Sequence, residues 1–329
     1  MSTETPVAAE IPFAALSPDA IVAAIEAAGF PSDGRVLALG SYENRVYQVG
    51  LEDADPLVVK FYRPGRWSDE AILEEHEFAL ELAGAEIPVV APIRAGASGG
   101  TLLRHAGFRY ALYARRGGQW PELATEDDRQ WIGRFLGRIH LIGATRPFRH
   151  RPRLSPAAMG RASAAFLLAE DRIPDYVRHR YQRVVDELLD RVEAQFEAAG
   201  TPRYLRIHGD CHRNNVLWTA AGPHFVDLDD CMMGPAIQDL WMLLAGDAAD
   251  MRSQLDDILA GYEQFASFDR SESLLIEPLR ALRMVHYAAW LARRWHDPAF
   301  PRAFPWFGEA RFWERHAAEL EEQAMVLAA

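Results

Sequence analysis

Apolar residues recur at helical spacing in "LSPDAIVAAIEAAG", where Ile21, Ile25 and Ala28 share one face. Ser17 is placed to cap this predicted helix, Pro18 fits its first position and Gly29 ends it. The period then shortens. "RVLALG", "RVYQVG" and "PLVVKFY" read as three short strands, the first two joined through "GSYENR". Helical spacing returns in "SDEAILEEHEFALELAGAE", with Ser68 as cap, acids in the first turn and a stripe of Ile72, Phe78 and Leu82. "VVAPIRAG", "TLLRHAG" and "FRYALYAR" read as further strands around a Gly99-Gly100 turn. Residues 1–114 are thus expected to form a helix followed by a small, mostly antiparallel sheet with one main inserted helix.

The pattern changes at "ARRGG". Helices are predicted over 125–143, 156–169 and 175–199, interrupted by the prolines of "TRPFRHRPRLSP". Residues 204–230 are mixed, and the chain is nearly all helical from 235 onwards. Residues 115–329 therefore read as a hinge and a larger, mostly helical lobe. The fold class is α+β with two lobes, and a cleft between lobes is a common ligand site. Arg115 and Arg116 at the hinge face either the ligand or solvent.

Composition narrows the function classes. The 329 residues are 49% hydrophobic and carry a formal net charge of -12. That balance argues against bulk nucleic acid or an anionic membrane surface as the main partner. No apolar run is long enough to span a bilayer. Two cysteines, Cys211 and Cys231, make no disulfide framework, so a reduced cytoplasmic compartment is expected. A monomer is expected as well. Cys211 is expected to be a buried thiol rather than a redox sensor. "TRPFRHRPR" is a local basic patch, either a solvated turn or a contact to phosphate or an acidic partner. Trp241, Trp290, Trp295, Trp306 and Trp313 are expected to pack rather than to stack on a ligand. Of the 35 basic residues all but one are arginine, and the exception is Lys60. A bias towards arginine explains the rest. A lone lysine suggests a need for a compact primary ammonium in a narrow polar site.

The densest chemistry lies in "YLRIHGDCHRNNVLWTAAGPHFVDLDD". "YLRIH" reads as a buried strand, and "NVLW" and "HFVDL" as a hairpin. This arrangement gathers His208, Asp210 and Asn215 at one end and returns Asp227 and Asp229 to it. If "HFVDL" runs on as a strand, Asp227 and Asp229 share a face, with Asp229 supporting Asp227. Oxygen donors such as Asn215 and Asp227 suit magnesium completed by substrate phosphates. Phosphoryl transfer from a nucleotide further needs a strand lysine, a helix glutamate and a flexible phosphate cover. Lys60, Glu75 (rather than Glu74, from its place relative to Phe78 and Leu82) and "GSYENR" are the candidates. A zinc hydrolase built on His208, Asp210, Cys211 and His212 is a competing reading, but it leaves Lys60, Asn215 and Asp227 without a role. A purely structural reading fits a lone HGD better than the full HGDxxxxN followed by "FVDLDD".

"HGDCHRNNVLW", "FVDLDD" and "GPAIQDLWML" resemble the bacterial stress response kinase A group, within the aminoglycoside phosphotransferase and choline kinase-like branch of the protein kinase fold. "GSYENRVYQV", "VVKFYRPGRWSDEAILEEHEFALEL" and "PVVAPI" resemble the same group, so the likeness spans nearly the whole chain. The resemblance implies Asp210 as the catalytic aspartate, Asn215 and Asp227 as magnesium ligands, Lys60 as the lysine on the ATP phosphates and Asp239 as a helix acid supporting the loop. His208 joins the catalytic segment, more as a holder of its backbone than as the base. The group phosphorylates serine and threonine in proteins, and itself, in the cytoplasm during stress responses.

The sequence also departs from ordinary protein kinases. Its first loop has a single leading glycine, Gly40, so the grip on phosphate falls to Ser41, Tyr42, Glu43 and Asn44, through backbone N–H groups. "VDLDD" replaces DFG, no APE follows, and little room is left for an activation loop. Small-molecule kinases share that shortness. The leading expectation is a serine/threonine kinase using ATP and magnesium on protein substrates. The alternative is a phosphotransferase for a small alcohol such as an aminoglycoside, choline or homoserine; a degenerate kinase acting only as a binding module fits the full polar set less well. An acid-lined pocket would favour a cationic small substrate.

Overall fold

The computed structural model of the protein describes residues 11–200 and 202–328. Helix α1 (Pro18–Ala27) starts where the Ser17 hydroxyl accepts the Ala20 N–H. It buries Ile21, Ala24 and Ile25 against a five-stranded sheet. The strands are β1 (Ser32–Ala38), β2 (Arg45–Leu51) and β3 (Leu57–Phe61), then helix α2 (Asp69–Gly84), then β4 (Leu103–His105) and β5 (Phe108–Ala114). Their order is β1-β2-β3-β5-β4, antiparallel throughout. β3 is central, and Lys60 pairs across to Val46 on one side and Ala111 on the other.

"VVAPIRAG" does not form the expected strand. Val89, Pro92 and Ala95 each make one isolated bridge, to Phe225, Tyr113 and Gly100. Pro88 and Pro92 carry no N–H, so the segment cannot sustain a ladder. Its bridge to Phe225 instead ties it to the second lobe.

Beyond β5 come α3 (Glu126–Gly143), a π-helical turn over Pro156–Arg161 where a uniform helix was expected, α4 (Ala162–Ala169) and α5 (Asp175–Ala198). Short strands follow: β6 (Leu205–Ile207), β7 (Val216–Thr219), β8 (Gly222–Phe225) and β9 (Met232–Gly234). The helices α6 (Ile237–Trp241), α7 (Ala248–Tyr262), α8 (Ile276–Arg294), α9 (Ala299–Ala303) and α10 (Ala310–Val326) complete the chain. Gly133 and Gly137 of α3 face the carbonyls of Ile258 and Tyr262 of α7, where any Cβ would collide with backbone. The two helices therefore pack at close approach. One core gathers Ile132, Leu136, Ile207, Leu240 and Ile258, and it takes in Phe78 and Leu82 of α2. A second joins Tyr181, Leu188, Leu282, Val285, Trp313 and Leu320. Because Phe78 and Leu82 pack into the core of the larger lobe, α2 gives the two lobes a shared apolar contact.

Candidate active site

Lys60 is buried, and three carboxylates surround its ammonium. Nζ lies 3.1 Å from Glu75 Oε1, 3.1 Å from Asp229 Oδ1 and 3.3 Å from Asp227 Oδ1. Burial pulls the Lys60 pKa down, but Asp229, Glu75 and Asp227 reverse this and hold it well above the ordinary value. Glu75 belongs to the face of α2 that also buries Ala71, Ile72, Phe78 and Leu82. Glu74 points elsewhere. Its carboxylate accepts the backbone N–H groups of Arg149, His150 and Arg151 at 2.7–3.1 Å.

The loop after β6 is held from below. Asp239 of α6 is fully buried and accepts the N–H groups of His208 (2.7 Å) and Gly209 (2.8 Å). His140 of α3 contacts the same carboxylate at 3.0 Å, and Gln238 donates to the Gly209 carbonyl at 2.9 Å. Gly209 has φ 85°, and a Cβ there would run into the Asp230 carbonyl. His208 is 1% exposed. Its Nε2 donates to the Val226 carbonyl at 2.9 Å, so the ring joins the loop to the chain entering Asp227. This placement corrects the grouping of His208 with the catalytic residues, since the buried ring positions the loop and does not reach the cleft.

Asp210 does face the cleft, with its side chain 24% exposed. Oδ1 accepts from Arg283 Nη1 at 2.7 Å, and Oδ2 lies 3.3 Å from His212 Nε2. Burial would raise its pKa, but His212 and Arg283 outweigh burial and hold the carboxyl well below the usual range. Asn215 donates Nδ2 to the Asp210 carbonyl at 2.9 Å, which turns its Oδ1 away from that bond. The Asn215 carbonyl accepts Val226 N–H at 3.0 Å, so Asn215 lies opposite the residue that precedes Asp227.

Asp227 does not continue a strand. β8 ends at Phe225, and Asp227 adopts φ 58° and ψ 64°. This left-handed residue is uncommon outside glycine, although aspartate tolerates it better than most. It turns the half-exposed Asp227 carboxylate (52%) towards Lys60 and starts a 3-10 turn over Leu228–Asp230. The expected shared strand face of Asp227 and Asp229 is thereby overturned. Asp229 is buried between Lys60, Arg66 and the edge of Arg151. Burial alone would raise its pKa, but Arg66, Lys60 and Arg151 keep it well below the carboxylate range.

The side chains of the first loop are bound by the protein itself. Ser41 Oγ donates to the Asn44 carbonyl at 3.3 Å, and Asn44 Oδ1 accepts Arg63 N–H at 3.1 Å. Tyr42 packs edge-on against Phe304. Glu43 accepts from Trp290 Nε1 (2.6 Å) and from Arg294 (2.6 and 3.0 Å). Beside this clamp, Asp297 binds Arg45 at 3.0 Å and Arg63 at 2.8 Å. The loop is thus fastened to the end of α8. These side chains are thereby occupied within the protein.

The zinc reading fails on geometry, because among the described residues no three His, Cys, Asp or Glu side chains converge to hold a metal. Cys211 and Cys231 are free and fully buried, and burial pushes both thiols up, Cys231 to about 12. "TRPFRHRPR" is only partly a solvated basic turn, with Arg149, His150 and Arg153 exposed. Phe148 is buried, Arg146 pairs with Glu77 and Glu81, and Arg151 stacks 4.2 Å over Trp67 while donating to the Cys231 and Asp229 carbonyls. Trp241 and Trp313 are buried, and Trp290, Trp295 and Trp306 pack among Phe300, Phe304 and Phe307. At the hinge, Arg115 donates to Gln48 at 3.0 Å. Sequence reasoning missed Arg66, Arg151, Arg283 and His140. Arg66 and Arg151 lie inside quoted segments, "VVKFYRPGRWSDEAILEEHEFALEL" and "TRPFRHRPR", but an arginine-rich chain gives no signal for which of its arginines reach the site.

The sequence pattern of the phosphotransferase enzyme family matches residues 35–276. The chain belongs to that family. This phosphotransferase is also 47% identical over 315 residues to stress response kinase A of Escherichia coli O157:H7, covering 96% of this chain and 94% of that one. It is 45% identical, over the same shares of each chain, to the serine/threonine protein kinase RdoA of Salmonella typhimurium. Identity at that level over nearly the whole length makes the phosphotransferase a member of the stress response kinase A group. Its fold is similar to that of an amicoumacin kinase solved with AMP-PNP, Ca2+ and Ami, with TM-score 0.71, 19% identity and 92% of each chain covered.

Proposed function

We propose that this phosphotransferase moves the γ-phosphoryl group of ATP to a serine or threonine hydroxyl of proteins, itself included. The observation that carries the reading is the Lys60 ammonium, held by one carboxylate of α2 and two from the segment after β8. A rigid, charged lysine beside a half-exposed aspartate is what a triphosphate and its cation need. The names of the relatives support the protein acceptor and a stress-response role.

Asn215 and Asp227 offer two oxygen donors, which fits magnesium. When bound, the cation supplies charge neutralisation on the phosphate oxygens. The residues of the chain do the rest. Lys60 orients the phosphates, Asp239 and His208 fix the loop, and the backbone of residues 41–44 covers the nucleotide. Asp210 orients the acceptor hydroxyl and takes its proton as the oxygen–phosphorus bond forms and ADP leaves. A small-alcohol acceptor is the second reading. It is favoured by the short path from Asp227 to β9 and α6, which holds no activation segment.

Labelled ATP offered to serine peptides and to small alcohols tests both acceptor and base. Asp210→Asn should lower kcat by about a hundredfold or more while ATP affinity stays near that of the wild type. Near-normal kcat in Asp210→Asn, with loss of transfer in a folded His208→Ala, would move the base to His208.

A further inference from the structure

α8 runs from the catalytic loop to the first loop, since Arg283 touches Asp210 while Trp290 and Arg294 touch Glu43. In a chain of net charge -12, this one helix carries four arginines against one glutamate. Arg283 Nη1 donates to Asp210 Oδ1 at 2.7 Å. The other oxygen, Oδ2, faces His212 at 3.3 Å and Asn215 Nδ2 at 3.5 Å. Both carboxylate oxygens are engaged, and Oδ1 already takes a charge-assisted bond from Arg283, so an acceptor hydroxyl competes with that guanidinium for it. Arg283 is 41% exposed, and Asp210 is its one acidic partner among the described residues. Arg283 itself can therefore swing into solvent, but Asp210 would keep only its contacts with His212 and Asn215, so the pair stays closed unless an anion draws the guanidinium away.

Arginines gather on the α8 side of the loop, opposite the acidic run of Asp227, Asp229 and Asp230. His286, one turn along α8, is held down to about 4, first by burial and then by Arg293, Arg294, Arg283 and Arg66. The nearby acids are already committed: Glu43 to Arg294, and Asp229 and Asp230 to Arg66.

We infer that the acceptor of this enzyme is anionic, its hydroxyl flanked by a carboxylate or phosphate that takes over the Arg283 guanidinium and frees Asp210 Oδ1. This rests on the reading of Asp210 as the group that receives the hydroxyl proton. A cationic acceptor meets Arg283 as a like charge and leaves the Arg283–Asp210 pair closed. Arg283 is thus a specificity-determining residue, a cation where an acid would favour an aminoglycoside or choline.

The test is a set of peptides with one serine, flanked by aspartate, by neutral residues or by lysine, and compared by kcat/KM. The wild type should prefer the acidic peptide to the neutral one by roughly tenfold or more, with lysine worst, the size of effect a charge-assisted contact gives. Arg283→Gln should bring the acidic and neutral peptides level, and Arg283→Glu should turn the preference towards lysine, an inversion that a merely structural role would not produce. Equal use of lysine-flanked and acidic peptides by the wild type would overturn the inference, whatever the variants do. So would an acidic preference that survives in Arg283→Glu. If only small alcohols accept phosphate, the protein-kinase reading fails and glycerate against choline decides: preference for glycerate supports the anionic acceptor, and preference for choline overturns it.

Discussion

Burial alone would lower the Lys60 pKa, yet three carboxylates within 3.3 Å hold it well above the ordinary value. The arrangement takes a compact ammonium at its centre. A guanidinium is wider and planar and cannot meet three acids from one point. Lys60→Arg should therefore cut kcat/KM by about a hundredfold or more despite the conserved charge, with wild-type turnover removing Lys60 from the mechanism. Glu75→Gln and Glu74→Gln separate two neighbouring acids. The first should damage turnover through Lys60. The second should leave turnover nearly intact and lower the denaturation midpoint, because Glu74 holds three backbone N–H groups of the 149–151 turn.

At the scale of elements, the first loop replaces the missing glycines with an anchor. Glu43 reaches α8 and Asp297 reaches Arg45 and Arg63, so the β1–β2 turn is tied to the other lobe by largely buried ion pairs. Removing one partner of such a pair leaves an uncompensated charge. Glu43→Ala should cost about 3 kcal/mol of unfolding free energy in urea, and Glu43→Gln less, since the amide oxygen still accepts. A loss below about 1 kcal/mol would show that the clamp is open in solution.

For the whole molecule, the buried histidines set the acid limit. Burial first, then Lys60 and Arg151 outweighing Asp229, holds His76 down to about 3. Burial chiefly holds His286 and His316 to about 4. Unfolded histidines titrate near 6.5, so between that pH and about 4 the unfolded chain binds more protons than the folded one. Stability should fall as pH drops through this window, and the unfolding midpoint at pH 5 should lie below that at pH 7. His316→Phe, in a slot between the Tyr181 and Phe312 rings, should give a shallower slope of midpoint against pH. An unchanged slope would place the effect elsewhere.

The sequence by itself determined what short-range pattern can encode: the caps at Ser17 and Ser68, the period-2 strands, the helices at 126–143 and 175–198, and the ordered polar set from His208 to Asp227. It also singled out Lys60, because one lysine among arginines needs a chemical reason. Only the tertiary structure decided which groups meet from afar. The left-handed turn at Asp227 sent Asp229 into the Lys60 cage, and no residue pattern announces a φ of 58° at an aspartate. Glu43 finds Trp290 and Arg294, and Asp210 finds Arg283, across separations of 247, 251 and 73 residues. Local spacing fixes which face a side chain takes on its own element, while the partner across the cleft depends on how elements pack, to which propensity and period are blind.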